Sequence, residues 1–158
     1  NITIATFADD TVILASNKSP IEASLIVQDY LNQLQLWLTR WKICINAEKS
    51  NHVTFTLRKE ECPTLFINGS QIPKAKSVKY LGIHLDQRLT WRDHILAKRN
   101  HLNIKTKKMW WLLGSNSQLN LENKVLLYKC VLKPVWTYGL QLWGTASNSN
   151  LEIKLIEA

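Results

Sequence analysis

Cysteine is scarce: Cys44, Cys62 and Cys130 stand far apart among 158 residues, with no Cys-x-x-Cys spacing. That excludes a disulfide framework and a cysteine-built zinc cluster, and fits a reducing compartment. Long apolar runs are lacking too. No uninterrupted stretch approaches the roughly 20 residues that cross a bilayer, so no membrane partner is expected. Low-complexity linkers and internal repeats are missing, which leaves one ordinary domain or two small lobes. The only methionine is Met109. A strand-like run opens at Asn1 and a run of helical spacing, "LEIKLIEA", closes the chain, so the sequence is expected to be a fragment. What remains is globular in composition, 46% hydrophobic and 20% charged.

Acid is the scarce charge in the second part of the chain. Residues 1–57 carry four Lys or Arg against five Asp or Glu, whereas residues 58–158 carry sixteen against seven. Such an asymmetry suits a polyanionic partner, nucleic acid above all. A basic solubilising surface gives the same arithmetic.

Two carboxylates interrupt the apolar run "TFADDTVILAS". The stretch "ITIATFADDTVILAS" predicts two β-strands around a tip at Ala8 to Thr11, so Asp9 and Asp10 would project from a hairpin. Adjacent like charges repel and need a compensating partner if they leave water. Next, Ser19 as N-cap, Pro20 at the first helical position and Glu22 in a capping box predict a helix. Its apolar stripe is expected through Ile21, Leu25, Tyr30, Leu34, Trp37, Leu38 and Trp41, packed on a sheet.

"KICINAEKSNHVTF" reads as a strand, a turn through Asn46 to Asn51 that holds Lys49, and a second strand through His52 to Phe55. Asn68-Gly69 predicts a further hairpin, and "SVKYLGIHLD" one more strand. From Thr90 the pattern becomes helical. Thr90 is a candidate N-cap, Gly114 a stop, and Trp91, Ile95, Leu102, Met109 and Leu113 a buried stripe. Arg88 to Lys108 holds seven basic residues and one acid. "NLENKVLLYKCVLKPVWTYGLQLWG" predicts another helical segment, bent near Pro134. The fold class is therefore α+β, antiparallel strands with a packed helix followed by an α-helical region. His84, His94 and His101 lack metal-ligand spacing and read as ordinary.

Taken in order, "FADD" in a hairpin, the amphipathic helix, Lys49 in "INAEKS" and "VKYLGIHLD" resemble the C-terminal part of a reverse transcriptase palm. The tail "LKPVWTYGLQLWGTASNSN" resembles the thumb-side segment of non-LTR retrotransposon polymerases of the Jockey type. The resemblance covers nearly the whole chain. It implies a partial polymerase palm over residues 1–88 and a truncated, thumb-like helical region over 89–158.

The activity it implies is RNA-directed DNA synthesis by two-metal nucleotidyl transfer, with divalent ions roughly 3.5–4 Å apart. Magnesium is the expected ion, with manganese as a substitute, because carboxylates are hard oxygen ligands. By resemblance Asp9 is a direct metal ligand and Asp10 a supporting one. Lys49 matches the lysine held to protonate the leaving pyrophosphate, although a surface lysine in a polar turn has the same sequence. Tyr80, Leu81 and Gly82 resemble the primer grip, with a core role for Tyr80 equally compatible. Arg92, Lys98, Arg99, Lys105, Lys107 and Lys108 are candidates to track phosphates without reading sequence.

The implied partners are an RNA template, a DNA primer or target, deoxynucleoside triphosphates, and the upstream palm and fingers of the same polypeptide. Synthesis in the cytoplasm and action in the nucleus follow from the job. A hydrolase using the Asp pair as acid and base is a poor reading, because neighbours on one turn cannot flank a bond from opposite sides. The alternative of another class is a non-catalytic nucleic-acid-binding remnant of such an element. The resemblance implies a third carboxylate on an upstream palm strand, a residue that checks the incoming sugar, and fingers, none of which this sequence contains, so on its own it is expected to be inactive.

Overall fold

The structure is a computed structural model that describes residues 2–58 and 62–146. The closing run "LEIKLIEA" and the end of the thumb-like tail therefore lie outside the described residues. The architecture is α+β: antiparallel strand pairs with one long helix, then a helical region. The chain divides into two compact units, residues 1–78 and 79–158.

In the first unit, β1 (Ile2–Phe7) and β2 (Asp10–Ala15) pair antiparallel from Ile2 opposite Ala15 to Phe7 opposite Asp10. An isolated two-stranded ribbon is marginal in water. Here α1 (Pro20–Arg40) packs on β2, with Ile13 against the core. The helix starts where its capping residues put it: the Ser19 hydroxyl accepts from the Glu22 N–H at 3.4 Å and Pro20 occupies the first turn. β3 (Phe66–Ile67) and β4 (Ser70–Gln71) form a small hairpin across Asn68-Gly69, both at positive φ (51° and 73°), as that dipeptide favours.

The stripe on α1 is displaced from the expected one. Leu38 is buried and Leu34 packs on the core, but Ile21, Leu25, Trp37 and Trp41 are more than half exposed. The buried line runs instead through Ser24, Leu31 and Leu38 at seven-residue spacing. Leu31 joins Leu65, Ile67 and Ile72 in the core cluster. Burying a leucine of this kind stabilises by about 1.5–3 kcal/mol. Two glutamines belong to the same face because they satisfy the edge of β3. Gln28 accepts from the Phe66 N–H (2.8 Å) and donates to the Phe66 carbonyl (2.9 Å), and Gln35 accepts from the Asn68 N–H at 3.1 Å. A hydrophobicity pattern is blind to this, since the packed residues are polar.

The two strands expected in "KICINAEKSNHVTF" do not form. Residues 43–46 and 53–56 have no strand hydrogen bonding, and His52 makes a single parallel bridge to Lys74. β-rich composition is not enough where no partner strand offers a ladder, and the segment bonds through loops: His52 N–H to the Pro73 carbonyl and Ala75 N–H to the His52 carbonyl, each 2.9 Å.

"SVKYLGIHLD" is a hairpin rather than one strand. β5 (Ser77–Tyr80) and β6 (Ile83–Asp86) flank Leu81-Gly82, at φ 46° and 78°. The glycine admits the left-handed conformation that turns the chain there. In the second unit α2 (Arg92–Lys108) follows, with Trp91 at its N-cap position and the Thr90 hydroxyl accepting from the Arg92 N–H at 3.5 Å. The Asp86 carboxylate braces this start, accepting from the Thr90 N–H (2.9 Å), the Thr90 hydroxyl (3.0 Å) and the Trp91 N–H (3.0 Å). Burial opposes ionisation of Asp86, yet these hydrogen bonds outweigh it and hold its carboxyl below the usual range. The same bonds support Leu89 and Trp91 at positive φ, a conformation costly for side chains of that size.

The expected helix from Thr90 to Gly114 breaks at Met109, after which α3 (Trp110–Leu113) ends at Gly114. Then come α4 (Leu121–Leu127), a π-helical stretch over Tyr128–Leu132, and α5 (Lys133–Thr137). The bend expected at Pro134 is thus taken up one turn earlier. Proline has no N–H and crowds the preceding turn, which a wider π turn relieves. A second break at Tyr138 and Gly139 (φ 72°) precedes α6 (Leu140–Trp143). α2 packs on β6, on α5 and on the π-helical stretch, and Ile95, Leu102, Leu132 and Trp143 are buried.

Candidate polymerase site

Asp9 stands in the two-residue turn between β1 and β2, and Asp10 is the first residue of β2, opposite Phe7. Both are exposed. Paired residues share a face and side chains alternate along a strand, so Asp10 and Phe7 lie on the face opposite Ile13, the residue that meets the α1 core. That face is open: Phe7 is 63% exposed. Just before Asp9, Ala8 adopts φ 53°, a left-handed conformation that costs a residue with a Cβ about 1–2 kcal/mol. Strain of this kind persists only where the surrounding hairpin imposes it.

The donor chemistry suits a hard divalent cation, but the set is short. Among the described residues no group of three or more His, Cys, Asp or Glu side chains is placed to hold a metal ion. Two carboxylates on one hairpin tip are fewer ligands than a divalent cation takes.

Lys49 lies exposed in a turn over Ala47–Lys49 that Asn46 organises: the Asn46 side-chain oxygen accepts from the Lys49 N–H at 3.1 Å, and its carbonyl from the Ser50 N–H and hydroxyl. Asn46 thus works through local backbone bonds, as expected of asparagine in a turn.

In the second unit, Tyr80 is half-buried at the end of β5 and Leu81-Gly82 form the turn. The Leu81 carbonyl accepts from the Tyr138 hydroxyl at 2.6 Å. The six basic candidates do not share one stripe. Lys98 and Lys105, seven residues apart, lie on the packed side with His94 and Leu102, while Arg92, Lys107 and Lys108 are exposed. The Lys98 ammonium sits 4.8 Å from the centre of the Tyr138 ring. Burial, and then the nearby Lys79 cation, push its pKa down. Lys105, Lys107 and Lys108 occupy the last turn of α2, where cations also offset the helix dipole. Arg99 is half-buried and engaged in an interaction of its own.

One residue read as ordinary is not. His94 is fully buried, its Nδ1 accepts from the His84 N–H at 3.2 Å, and its Nε2 has no partner. Its ring stands 6.1 Å from that of Trp143 and 6.2 Å from that of His84. Burial first, then the Lys98 cation and His84, push its pKa down to about 4. Tyr138 likewise has a partner that the sequence does not announce. No spacing rule connects it to a turn 57 residues earlier.

A sequence profile of the family described as reverse transcriptase (RNA-dependent DNA polymerase) matches residues 1–85. A probable RNA-directed DNA polymerase from transposon X-element of Drosophila melanogaster is 41% identical over 98% of this chain and 17% of its own length. The RNA-directed DNA polymerases from mobile element jockey are 40% identical in Drosophila melanogaster, over 100% of this chain, and 39% in Drosophila funebris, over 99%; in each, the match covers 17% of the relative. This chain therefore spans about 17% of the length of these curated relatives. No solved structure matches it. On the profile match and on identities near 40% across nearly its whole length, the chain belongs to the reverse transcriptase family, in the non-LTR, Jockey-type retrotransposon branch.

Proposed function

We propose that this chain is the back of the palm, residues 1–88, and part of the thumb-like region, residues 89–158, of a mobile-element polymerase that copies RNA into DNA. The observation that carries the reading is the strained, exposed hairpin tip that presents Asp9 and Asp10, within the segment that matches the family profile. Asp9 is the direct metal ligand and Asp10 the supporting one, and carboxylates from elsewhere in the polymerase complete the set. The two carboxylates would hold magnesium there, or manganese in its place, which when bound would supply a Lewis acid for the primer 3′-hydroxyl and neutralise charge on the departing pyrophosphate. Lys49 donates a proton to that pyrophosphate from its ordered turn. The Tyr80-Leu81-Gly82 turn holds the primer end, and the basic residues Arg92, Lys98, Arg99, Lys105, Lys107 and Lys108 meet the phosphates of the template–primer duplex. Deoxynucleoside triphosphates are the substrates, and the protein works on nuclear DNA after synthesis in the cytoplasm.

The test is primer extension by the complete polymerase. Asp9→Ala should lower the rate about a thousandfold or more, because it removes several kcal/mol of charge stabilisation, while salt-sensitive duplex binding is retained. Extension by the variant at the parent rate would refute the assignment and leave a nucleic-acid-binding remnant as the better reading. The 158-residue chain alone, with its two-carboxylate tip, should not extend a primer. Robust templated extension by it would contradict the two-metal requirement.

A further inference from the structure

We propose that Tyr138 is a positioning residue that fixes the Leu81-Gly82 turn in its primer-holding shape. Three contacts converge on that turn. The Tyr138 hydroxyl donates to the Leu81 carbonyl at 2.6 Å. The Tyr138 ring lies against Gly82, where a Cβ would be in van der Waals contact with Cε1 at 3.4 Å, and the turn runs at φ 78°. Beside it, Gly139 at φ 72° packs on β6, where a Cβ would come within 2.9 Å of the Ile83 side chain.

The tyrosine is itself held from behind. The Trp143 indole N–H donates to the Tyr138 carbonyl at 3.0 Å, and Trp143 is 2% exposed, its ring tilted 47° to that of the buried His94. Lys98 caps the ring with its ammonium. Leu81 needs such support, because a bulky residue at φ 46° is an outlier that relaxes unless neighbours impose it. Its carbonyl is the atom that would swing if the turn relaxed, and the Tyr138 hydroxyl pins that atom.

The role rests on the reading of Tyr80-Leu81-Gly82 as the turn that meets the primer end, so the experiment separates the two claims. Tyr138→Phe keeps the ring and loses only the hydroxyl, and an unchanged melting temperature within a few degrees checks the fold. Tyr138→Leu removes the ring as well and should have an effect at least as large. Two readouts are taken on the full 158-residue chain. The first is amide hydrogen exchange across residues 80–85. The second is binding of an RNA template–DNA primer duplex carrying 2-aminopurine at the primer 3′ end, followed through the fluorescence of that base.

The expected result is exchange faster by up to about tenfold, the scale of one lost hydrogen bond, with duplex affinity within about twofold, since phosphate contacts dominate it. The 3′-terminal fluorescence response should fall by about half or more. Exchange equal to that of the parent overturns the clamp. Faster exchange with an intact terminal response overturns the positioning role. A parent chain with no terminal response defeats the primer-end reading and the positioning role with it, while exchange still decides whether Tyr138 holds the turn.

Discussion

Acidification should destabilise this chain well above the range in which carboxylates titrate, and His94 is the cause. The folded protein keeps His94 neutral down to about pH 4, whereas an unfolded histidine titrates near 6.5. Between those values the unfolded chain binds the extra proton, so the contribution is fully present above about pH 6.5 and is lost as pH falls toward 4. A shift of that size corresponds to about 3 kcal/mol in total. Linkage then predicts a loss of about 1 kcal/mol by pH 5.5 and about 2 kcal/mol by pH 4.5, relative to pH 7.

Urea denaturation at half-unit pH steps measures this directly. His94→Gln, which does not titrate, should flatten most of the slope between pH 6.5 and 5. A residual slope of the same sign is expected from His52, whose pKa burial and then Lys74 also lower, and whose Nδ1 lacks a partner. Below about pH 4 Asp86 adds a further loss, because its depressed pKa makes the folded state prefer the carboxylate. A wild-type stability flat from pH 7 to 5, or a His94→Gln slope equal to the wild type's, would refute the assignment of a buried, neutral imidazole to this position.

Two further outcomes follow from the geometry. Gly139→Ala should cost more than Gly69→Ala in urea denaturation: both glycines sit near φ +70°, but a Cβ at Gly69 meets nothing within 4 Å, whereas one at Gly139 strikes Ile83 at 2.9 Å. The Gly69 change alone should cost about 1 kcal/mol, and equal costs would remove the case for a tight Gly139–Ile83 contact. Replacing Lys105, Lys107 and Lys108 by Gln should reduce the slope of log affinity against log salt for duplex by up to about 2–3, near 0.9 per phosphate contact. Lys98→Gln should change it less, because that ammonium is engaged over Tyr138; an unchanged slope in the triple variant would show that the end of α2 does not meet phosphate.

Where the controlling interactions are local, the chain announces its structure. Ser19-Pro20 starts α1 because the cap acts within three residues, and Asn68-Gly69 turns because those two backbones accept positive φ. The acidic tip and the Asn46 turn that carries Lys49 are short-range features too. So is the charge asymmetry between the two parts of the chain.

Other features depend on partners distant in sequence. The strands expected around Lys49 fail for want of a ladder, although their residues favour one. The buried face of α1 is decided by the β3 edge, which recruits Gln28 and Gln35 in place of the more hydrophobic Ile21, Leu25 and Trp37. Asp86 joins Thr90 in organising the α2 start, since three donors converge on its carboxylate.

The same division runs through the site. The proposal of Asp9, Asp10, Lys49 and Tyr80-Leu81-Gly82 rests on their order along the chain, which is sequence information. The burial of His94 and the Tyr138–Leu81 contact are not sequence information, because neither burial nor a hydrogen bond across 57 residues leaves a periodic trace. Residue types and near-neighbour backbone preferences set the turns, the caps and the acidic tip. Which faces are buried, which histidine stays neutral and what holds the Leu81-Gly82 turn were settled only when packing brought remote groups into contact, where desolvation and unmet hydrogen bonds outweigh local preference.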